Sequence, residues 1–400
     1  MSTRGRQARG DERLLTGRTG RVTLALGLGW LSVGLGRRVI PPLLPSIIED
    51  LAITPSRAGF ALTVLLVFFA ALQYPGGRLS DQLSRETVLV TGVGVLTVGA
   101  GLVAVATGYP GLLLGLAAFG TGAGLFSIPA RGLLSDLFVA RRGTAFGLFQ
   151  SAGRVGNMLA AGLAVAALAV ATWQAAFLPL VGAFVLTGVA VHVFRTEPYV
   201  VRRPHLEFRD TVGRLLATKE VPWVLVTYMC FTLSWNGTLG FLPTFLQAEK
   251  GLAPTPASAV FAAVFVVGTL VTPLAGDLSD RTDRLPVVVA ALALGLVGLA
   301  TLVAAPGLVG VVAGVVVFAT GLSSFPAVMQ AYLMDLFDDE SMAGDFGALK
   351  TIYSGVGSLG PTFVGTVAER ASYGVALTGL AGTLVVGILL VLWLRLRVTA

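Results

Sequence analysis

Residues 77–85 read Gly77-Arg78-Leu79-Ser80-Asp81-Gln82-Leu83-Ser84-Arg85, and residues 276–284 read Gly276-Asp277-Leu278-Ser279-Asp280-Arg281-Thr282-Asp283-Arg284. Gly77, Leu79, Ser80, Asp81 and Arg85 each recur 199 residues later. Both copies lie between long apolar runs; the first follows Phe60 to Tyr74 and precedes Val88 to Val105. A single loop of this kind reads about equally as a solvated turn after a helix and as a functional element. Two copies at one spacing, at equal depth in two apolar halves, point to a duplicated architecture.

Outward from these loops the chain is apolar. It is 55% hydrophobic and 12% charged over 400 residues, about half the charge fraction of a soluble domain. A bilayer core takes ~20 apolar residues per helix. Twelve such stretches can be read, at roughly 22–46, 58–78, 87–107, 109–134, 143–168, 174–194, 222–247, 256–275, 286–305, 307–333, 345–367 and 372–394. Lipid offers the backbone no partner, so each stretch must bond within itself as a helix. The expected fold is an all-α polytopic membrane protein of twelve transmembrane helices. The 51 glycines suit close helix approach in a membrane.

The net charge of +7 suggests nucleic acid only until it is placed. Of 28 Arg and Lys, 20 fall in the N-terminal tail and even-numbered loops, three in odd-numbered loops (Arg57, Lys250, Arg370) and five inside spans. That is the positive-inside pattern. It places both termini in the cytoplasm of a multi-pass cell-membrane protein and leaves no basic face for nucleic acid. A lone cysteine, Cys230, and two histidines, His192 and His205, give no basis for a disulfide or a metal cluster. Neither histidine lies deep in a span, so no Ser/His/Asp set forms and no enzyme is expected. Gly355-Val356-Gly357-Ser358-Leu359-Gly360 matches a dinucleotide fingerprint only as a string, without a preceding strand. Gly344 to Thr351 lacks the glycine before the lysine that a phosphate loop needs. No cofactor is called for.

The halves repeat beyond the loops. Thr121-Gly122, Phe126 and Leu134-Ser135-Asp136-Leu137-Phe138 correspond to Thr320-Gly321, Phe325 and Leu333-Met334-Asp335-Leu336-Phe337, and Phe146-Gly147 to Phe346-Gly347. The chain divides into a cytoplasmic tail (1–20), a six-helix bundle (21–194), a charged cytoplasmic linker (195–220) and a second bundle (221–397). Within the linker, Leu206 to Ala217 has the pattern of a short surface helix. Six spans per half give both halves one orientation, a parallel repeat about the membrane normal.

The duplicated Gly-x-Leu-x-Asp-x-x-x-Arg loop resembles the signature of the major facilitator superfamily, between spans 2 and 3 with an echo between spans 8 and 9. The resemblance covers essentially residues 20–397 and is to the prokaryotic twelve-span type. It implies a secondary transporter that works by alternating access on a small molecule in the lipid bilayer, acting as a monomer. It also implies a cytoplasmic gate of Gly77, Asp81, Arg85, Asp136, Gly276, Asp280, Arg284 and Asp335. In it Asp81 and Asp280 face helix starts in the opposite half, near Asp345-Phe346 and Gly143-Thr144, while Arg85 and Arg284 pair with Asp136 and Asp335. A carboxylate at a helix N-terminus is stabilised by roughly 0.3–2 kcal/mol. Asp345 places a second negative charge beside the helix start expected to receive Asp81.

Five cations lie inside predicted spans: Arg37, Arg38, Arg131, Arg154 and Lys350, with no Asp or Glu in any span interior. Arg131 and Lys350 lie near cytoplasmic ends and read equally as snorkelling side chains. Aligning Pro45 with Pro243 sets Arg37 on Trp235 and Arg38 on Asn236; Arg131 falls on Gln330 and Gln150 on Lys350. Polar positions thus meet polar positions across the repeat. The expected substrate cavity is Arg38, Arg131, Arg154, Asn236, Gln330 and Lys350. Arg37 and Arg38 diverge by ~100° on a helix; Arg38 is the one read as facing the cavity. An anionic substrate, organic or inorganic, follows. The alternative is a multidrug or metabolite exporter of the same fold, although the Gly-Pro pair of the family's span-5 antiporter signature is replaced here by Gly153-Arg154. A non-transporting membrane sensor on the same scaffold is a third reading.

Overall fold

The computed structural model describes residues 14–195, 198–200, 213, 219–336 and 342–398. Among them the regular structure is helical. In chain order the helices are α1 Gly17–Asp50, α2 Pro55–Ala71, α3 Gln73–Gln82, α4 Arg85–Ala104, α5 Tyr109–Leu137, α6 Arg142–Val170 and, after a 3-10 turn at Trp173–Phe177, α7 Leu178–Phe194. The second half has α8 Val221–Ala248, α9 Pro254–Arg281, α10 Arg284–Ala304, α11 Gly307–Leu336, α12 Met342–Gly357, α13 Gly360–Arg370 and α14 Tyr373–Val398. Counting α2–α3 and α12–α13 as one passage each gives the twelve passages expected. Nine are long and apolar enough to cross a membrane among the described residues. The other three are α1, which carries Arg37-Arg38, α8, which carries Trp235-Asn236, and the interrupted pair α12–α13. Most of the tail, the linker's expected surface helix and the side chain of Asp345 lie outside the described residues.

Two interruptions depart from the expected continuous spans. The first, at Leu72, is slight: Leu72 N donates to Phe68 O at 3.2 Å and Gly76 N to Leu72 O at 2.9 Å, so the helical path persists. The second, at Ser358-Leu359, is a tightened turn: Ser358 N still donates to Ser354 O at 2.9 Å and Phe363 N to Leu359 O at 2.9 Å, but Pro361 has no N–H for Gly357 O and Thr362 N turns to Thr63 Oγ1. There Gly357 O accepts from Asn236 Nδ2 at 3.2 Å and Ser358 O accepts from Thr63 Oγ1 at 2.7 Å. Carbonyls freed by a proline in a membrane helix are tolerated where neighbouring protein groups re-satisfy them, and these side chains do so.

By contact the chain forms two compact units. One joins Met1–Val39 with Phe68–Leu206; the other joins Ile40–Val67 with Glu207–Ala400. In the first, α4 packs on α5 and α7, and α3 on α5. In the second, α10 packs on α11 and α14, and α9 on α11. The duplicate therefore repeats the packing of the original. It does so down to single atoms. A Cβ on Gly122 would lie 2.5 Å from Leu96 N and 2.6 Å from Gly92 O. On Gly321, 199 residues later, it would strike Gly295 N and Ala291 O, the same two backbone sites displaced by the same 199. Gly115 against Val103 N and Gly314 against Leu302 N repeat the relation. These helices meet backbone to backbone, the small-residue packing that lipid favours when no hydrophobic drive separates protein from solvent.

Charged side chains close several helix ends. Lys250 Nζ donates to Val303 O (2.7 Å) and Ala305 O (2.9 Å) at the end of α10. Glu249 accepts from Tyr373 N and Gly374 N at the start of α14. Cations at C-termini and carboxylates at N-termini both complement the helix dipole. The start of the linker is held by Val200 N donating to Thr87 Oγ1 at 3.1 Å.

Candidate functional site

The duplicated loop is built the same way twice. Ser80 Oγ donates to Gly77 O at 2.7 Å and Ser279 Oγ to Gly276 O at 2.8 Å, each closing the last turn of its helix. Arg85 then begins α4 and Arg284 begins α10. Arg85 Nε lies 2.6 Å from Asp136 Oδ2 at the end of α5; Arg284 bonds Asp335 at the end of α11. Both arginine side chains are 26% exposed and the aspartates 56% and 59%, so the pairs sit at a boundary rather than in a core. The Arg85 guanidinium lies over Gly132, where any Cβ would collide with it. Position 331, the counterpart, is Ala, and its carbonyl accepts from Arg284. Asp81 and Asp280 are exposed. Two differences separate the copies. Gly77 packs against Ile128 while Gly276 has open space, and Asp277 pairs with Arg281 at 2.8 Å in the second copy alone, where the first has Arg78 and Gln82.

A cavity of about 240 Å³ opens beside the first copy, lined by Ser80, Asp81, Arg85, Arg131, Ser135 and Phe146 among others. Arg131 links it to the interior. Its guanidinium stands 5.3 Å over the Trp30 ring, and its Nη2 donates to Gln150 Oε1 at 3.5 Å. Trp30 in turn stacks on Phe149 with centroids 5.3 Å apart. The stack forms because α1 and α6 approach through glycine. Gly34 faces Gly153 O and the Asn157 side chain, Gly153 lies at the indole of Trp30, and Gly156 lies on Leu31 O.

That packing orients Arg154. On α6 the small residues Gly153, Gly156 and Ala160 face α1, and Leu148, Val155 and Leu159 are exposed and apolar. At ~100° per residue, Gln150, Arg154 and Asn157 share a third face, well away from the apolar one. Arg154 is exposed on this polar face. On α1, Arg37 and Trp30 share a side, at a spacing of seven, and the Arg37 guanidinium lies 3.9 Å over the ring of Phe69 on α2. Arg38 is half-buried on the side of α1 that carries Gly34. All four arginines thus belong to the first unit.

The corresponding positions of the second unit are quieter. Asn236 bonds Gly357 O. Trp235 stacks between Phe231 (6.1 Å) and Phe318 (6.0 Å), and Tyr228 stacks on Tyr353 at 4.4 Å. Gln330 and Lys350 are half-buried. Sequence reasoning missed Trp30, Phe69, Phe149 and Asn157, since ring-on-cation contacts join distant helices and leave no local pattern. It also missed Glu86, placed in a loop but 2% exposed in the first turn of α4. Its position between Arg85 and a Ser84/Thr87 helix cap was the available signal.

The comparisons agree with this architecture. The family model of the Major Facilitator Superfamily matches residues 26–361 and 224–400. A probable sulfoacetate transporter of Cupriavidus necator is 28% identical over 259 residues, 59% of this chain and 59% of that protein's own length. A hexuronate transporter of Bacillus subtilis is 23% identical over 372 residues, covering 87% of this chain and 88% of its own. Among solved structures, an inward-facing, occupied bacterial homologue of the human lysosomal transporter Spinster superposes with a TM-score of 0.76 at 18% identity, covering 93% of this chain and 94% of its own. A D-xylose–proton symporter gives 0.73 at 18% identity, covering 94% and 97%.

Proposed function

We propose, from the premise that this chain belongs to the Major Facilitator Superfamily, that it is a secondary transporter of a small organic anion, working by alternating access. The observation that carries the reading is the arginine set of the first unit. A cation at the centre of a membrane helix costs roughly 2.5–3.5 kcal/mol on insertion scales. Aromatic faces and an amide hold Arg37 and Arg131 in place. A carboxylate or sulfonate brings the opposite charge, and the planar guanidinium fork fits two oxygens of either. The names of the two curated relatives, for sulfoacetate and hexuronate, support an acidic cargo. The residues proposed to meet it are Arg38, Arg131 and Arg154, with Asn236, Gln330 and Lys350 contributed by the second half of the chain.

The duplicated loops are the proposed gate. Asp81→Asn removes a helix-end contact of ~1–2 kcal/mol, which shifts the open-to-closed ratio on the cytoplasmic side roughly five- to thirty-fold. Spin-label distances across that face report the shift, and an unchanged distribution in folded protein counts against the latch. With both termini cytoplasmic in the cell membrane, a C-terminal tag stays unlabelled from outside intact cells.

Substrate class is tested by a thermal-shift panel of anions, cations and neutral solutes on purified protein, since a ligand of the folded state raises its stability by mass action. Uptake into proteoliposomes follows. Arg38→Gln or Arg154→Gln abolishes high-affinity anion binding without unfolding the protein, because removing one partner of a desolvated charge pair costs ~2–5 kcal/mol; Arg38→Lys restores part. A cationic substrate, or normal transport by both Gln variants, replaces this reading with the exporter. A chain that binds but never translocates is a sensor.

A further inference from the structure

Gln73 opens α3, one turn beyond Phe69, and is 3% exposed. Neither its Oε1 nor its Nε2 has a hydrogen-bond partner among the described residues, and the same holds for Nε of Arg37. A desolvated amide with both atoms unpaired opposes folding, so its retention calls for a reason outside stability. Helix geometry sets both side chains by the ring of Phe69. Helical side chains lean back over the turn N-terminal to their own Cα, which lays Gln73 over the turn that carries Phe69. The Arg37 guanidinium lies on that same ring, at 3.9 Å.

The internal repeat supplies a control within the molecule. Position 272 corresponds to 73 and is threonine; its Oγ1 donates to Gly268 O at 2.6 Å and approaches Ser323 O at 3.3 Å. Position 235 corresponds to 37 and is a tryptophan held in an aromatic stack. Where the second unit closes upon itself, the first carries a longer amide and a guanidinium with atoms unmatched. The departure from symmetry runs one way at both positions.

We propose that Gln73 is a substrate-binding residue beside Arg37, and that the cargo is an organic acid bearing a hydroxyl near its acid group. This rests on the anion-transport reading above and narrows it. A guanidinium only donates and takes the acid oxygens. A carboxamide both donates and accepts, and a hydroxyl does the same, so the two match. A bare alkyl acid leaves the amide unpaired.

The test uses the full chain in detergent and matched ligands: lactate and glycerate against propionate, and gluconate against hexanoate. The wild type binds the hydroxylated member of a pair more tightly, by roughly five- to a hundred-fold, the range for leaving one buried polar group unpaired. Gln73→Leu, and Gln73→Met as a second apolar variant, lose that preference while their affinity for the alkyl acid changes less than about three-fold. Both variants melt no lower than the wild type without ligand, since they remove an unpaired amide. The proposal is overturned if the preference persists in both variants, as when the amide binds only water. It is overturned too if the wild type shows no preference, or if both variants melt lower, which marks a structural amide. Acids that bind through Arg38 and Arg154 without regard to hydroxylation sink this inference alone. Binding of neutral or cationic solutes in place of any acid sinks the anion reading with it.

Discussion

Thr63, midway along α2 and 5% exposed, uses its whole hydrogen-bonding capacity at the tightened turn between α12 and α13. It donates to Ser358 O at 2.7 Å and accepts from Thr362 Oγ1 at 2.7 Å and Thr362 N at 3.3 Å. A hydroxyl has one donor and two acceptor sites, so Thr63→Val removes three contacts at nearly constant shape. Interhelical hydrogen bonds inside membranes average ~0.6 kcal/mol and reach ~1.7 kcal/mol. Three give about 2 kcal/mol, and the orphaned Ser358 carbonyl raises the loss toward ~3 kcal/mol. The assay is an unfolding titration in mixed micelles on the wild type, Thr63→Val, Thr362→Val and the double variant. A coupling of about 1 kcal/mol between the two threonines is expected of residues in direct contact. A Thr63→Val loss below ~0.5 kcal/mol, or two losses that simply add, would refute the reasoning that these side chains hold the tightened turn.

Gly122→Val and Gly321→Val each force a side chain into backbone and cost about 3 kcal/mol or more, seen as loss of the monodisperse peak on detergent chromatography. Gly162→Ala, whose Cβ meets nothing within 4 Å, is neutral or stabilises by up to ~1 kcal/mol. Asp136→Asn, which breaks the half-exposed Arg85 pair, costs only ~0.2–1 kcal/mol; repeating the melt at high salt shrinks the difference, because exposed pairs are screened. Glu249→Gln weakens the cap on α14 by ~0.5–2 kcal/mol, and faster hydrogen exchange at Tyr373 and Gly374 reports it.

Much of the fold was legible because lipid makes two blunt demands, apolar length and internal backbone pairing. The 199-residue offset carried further than loop residues. It named Gly122 and Gly321 as equivalents, and their surroundings agree atom for atom. The site was less legible. Arg37 and Arg38 were visible as charges in an apolar run, but the ring that receives Arg37 belongs to α2 and the ring beneath Arg131 to α1. Cation–ring contacts need no fixed spacing and leave no trace in a window of sequence. The tightened turn at Ser358-Leu359 was hidden for a similar reason. Gly360-Pro361 marks a possible helix start, but what makes the interruption tolerable is Thr63 and Asn236, nearly 300 and 121 residues earlier.

That dependence bears on how the chain enters the bilayer during synthesis. The segment 342–370 carries its own interruption, and the groups that satisfy it reside on α2 and α8. Alone, it leaves the carbonyls of Gly357 and Ser358 without the Asn236 and Thr63 donors, a cost to partitioning into lipid. α1 and α8 face a milder form of the same difficulty, since Arg37-Arg38 and Trp235-Asn236 keep them outside the nine self-sufficient passages. Each of these three segments is therefore expected to insert less readily by itself than together with its packing partners. The residues that pack the interior of the finished molecule are thus the ones that tie the insertion of one segment to the presence of another.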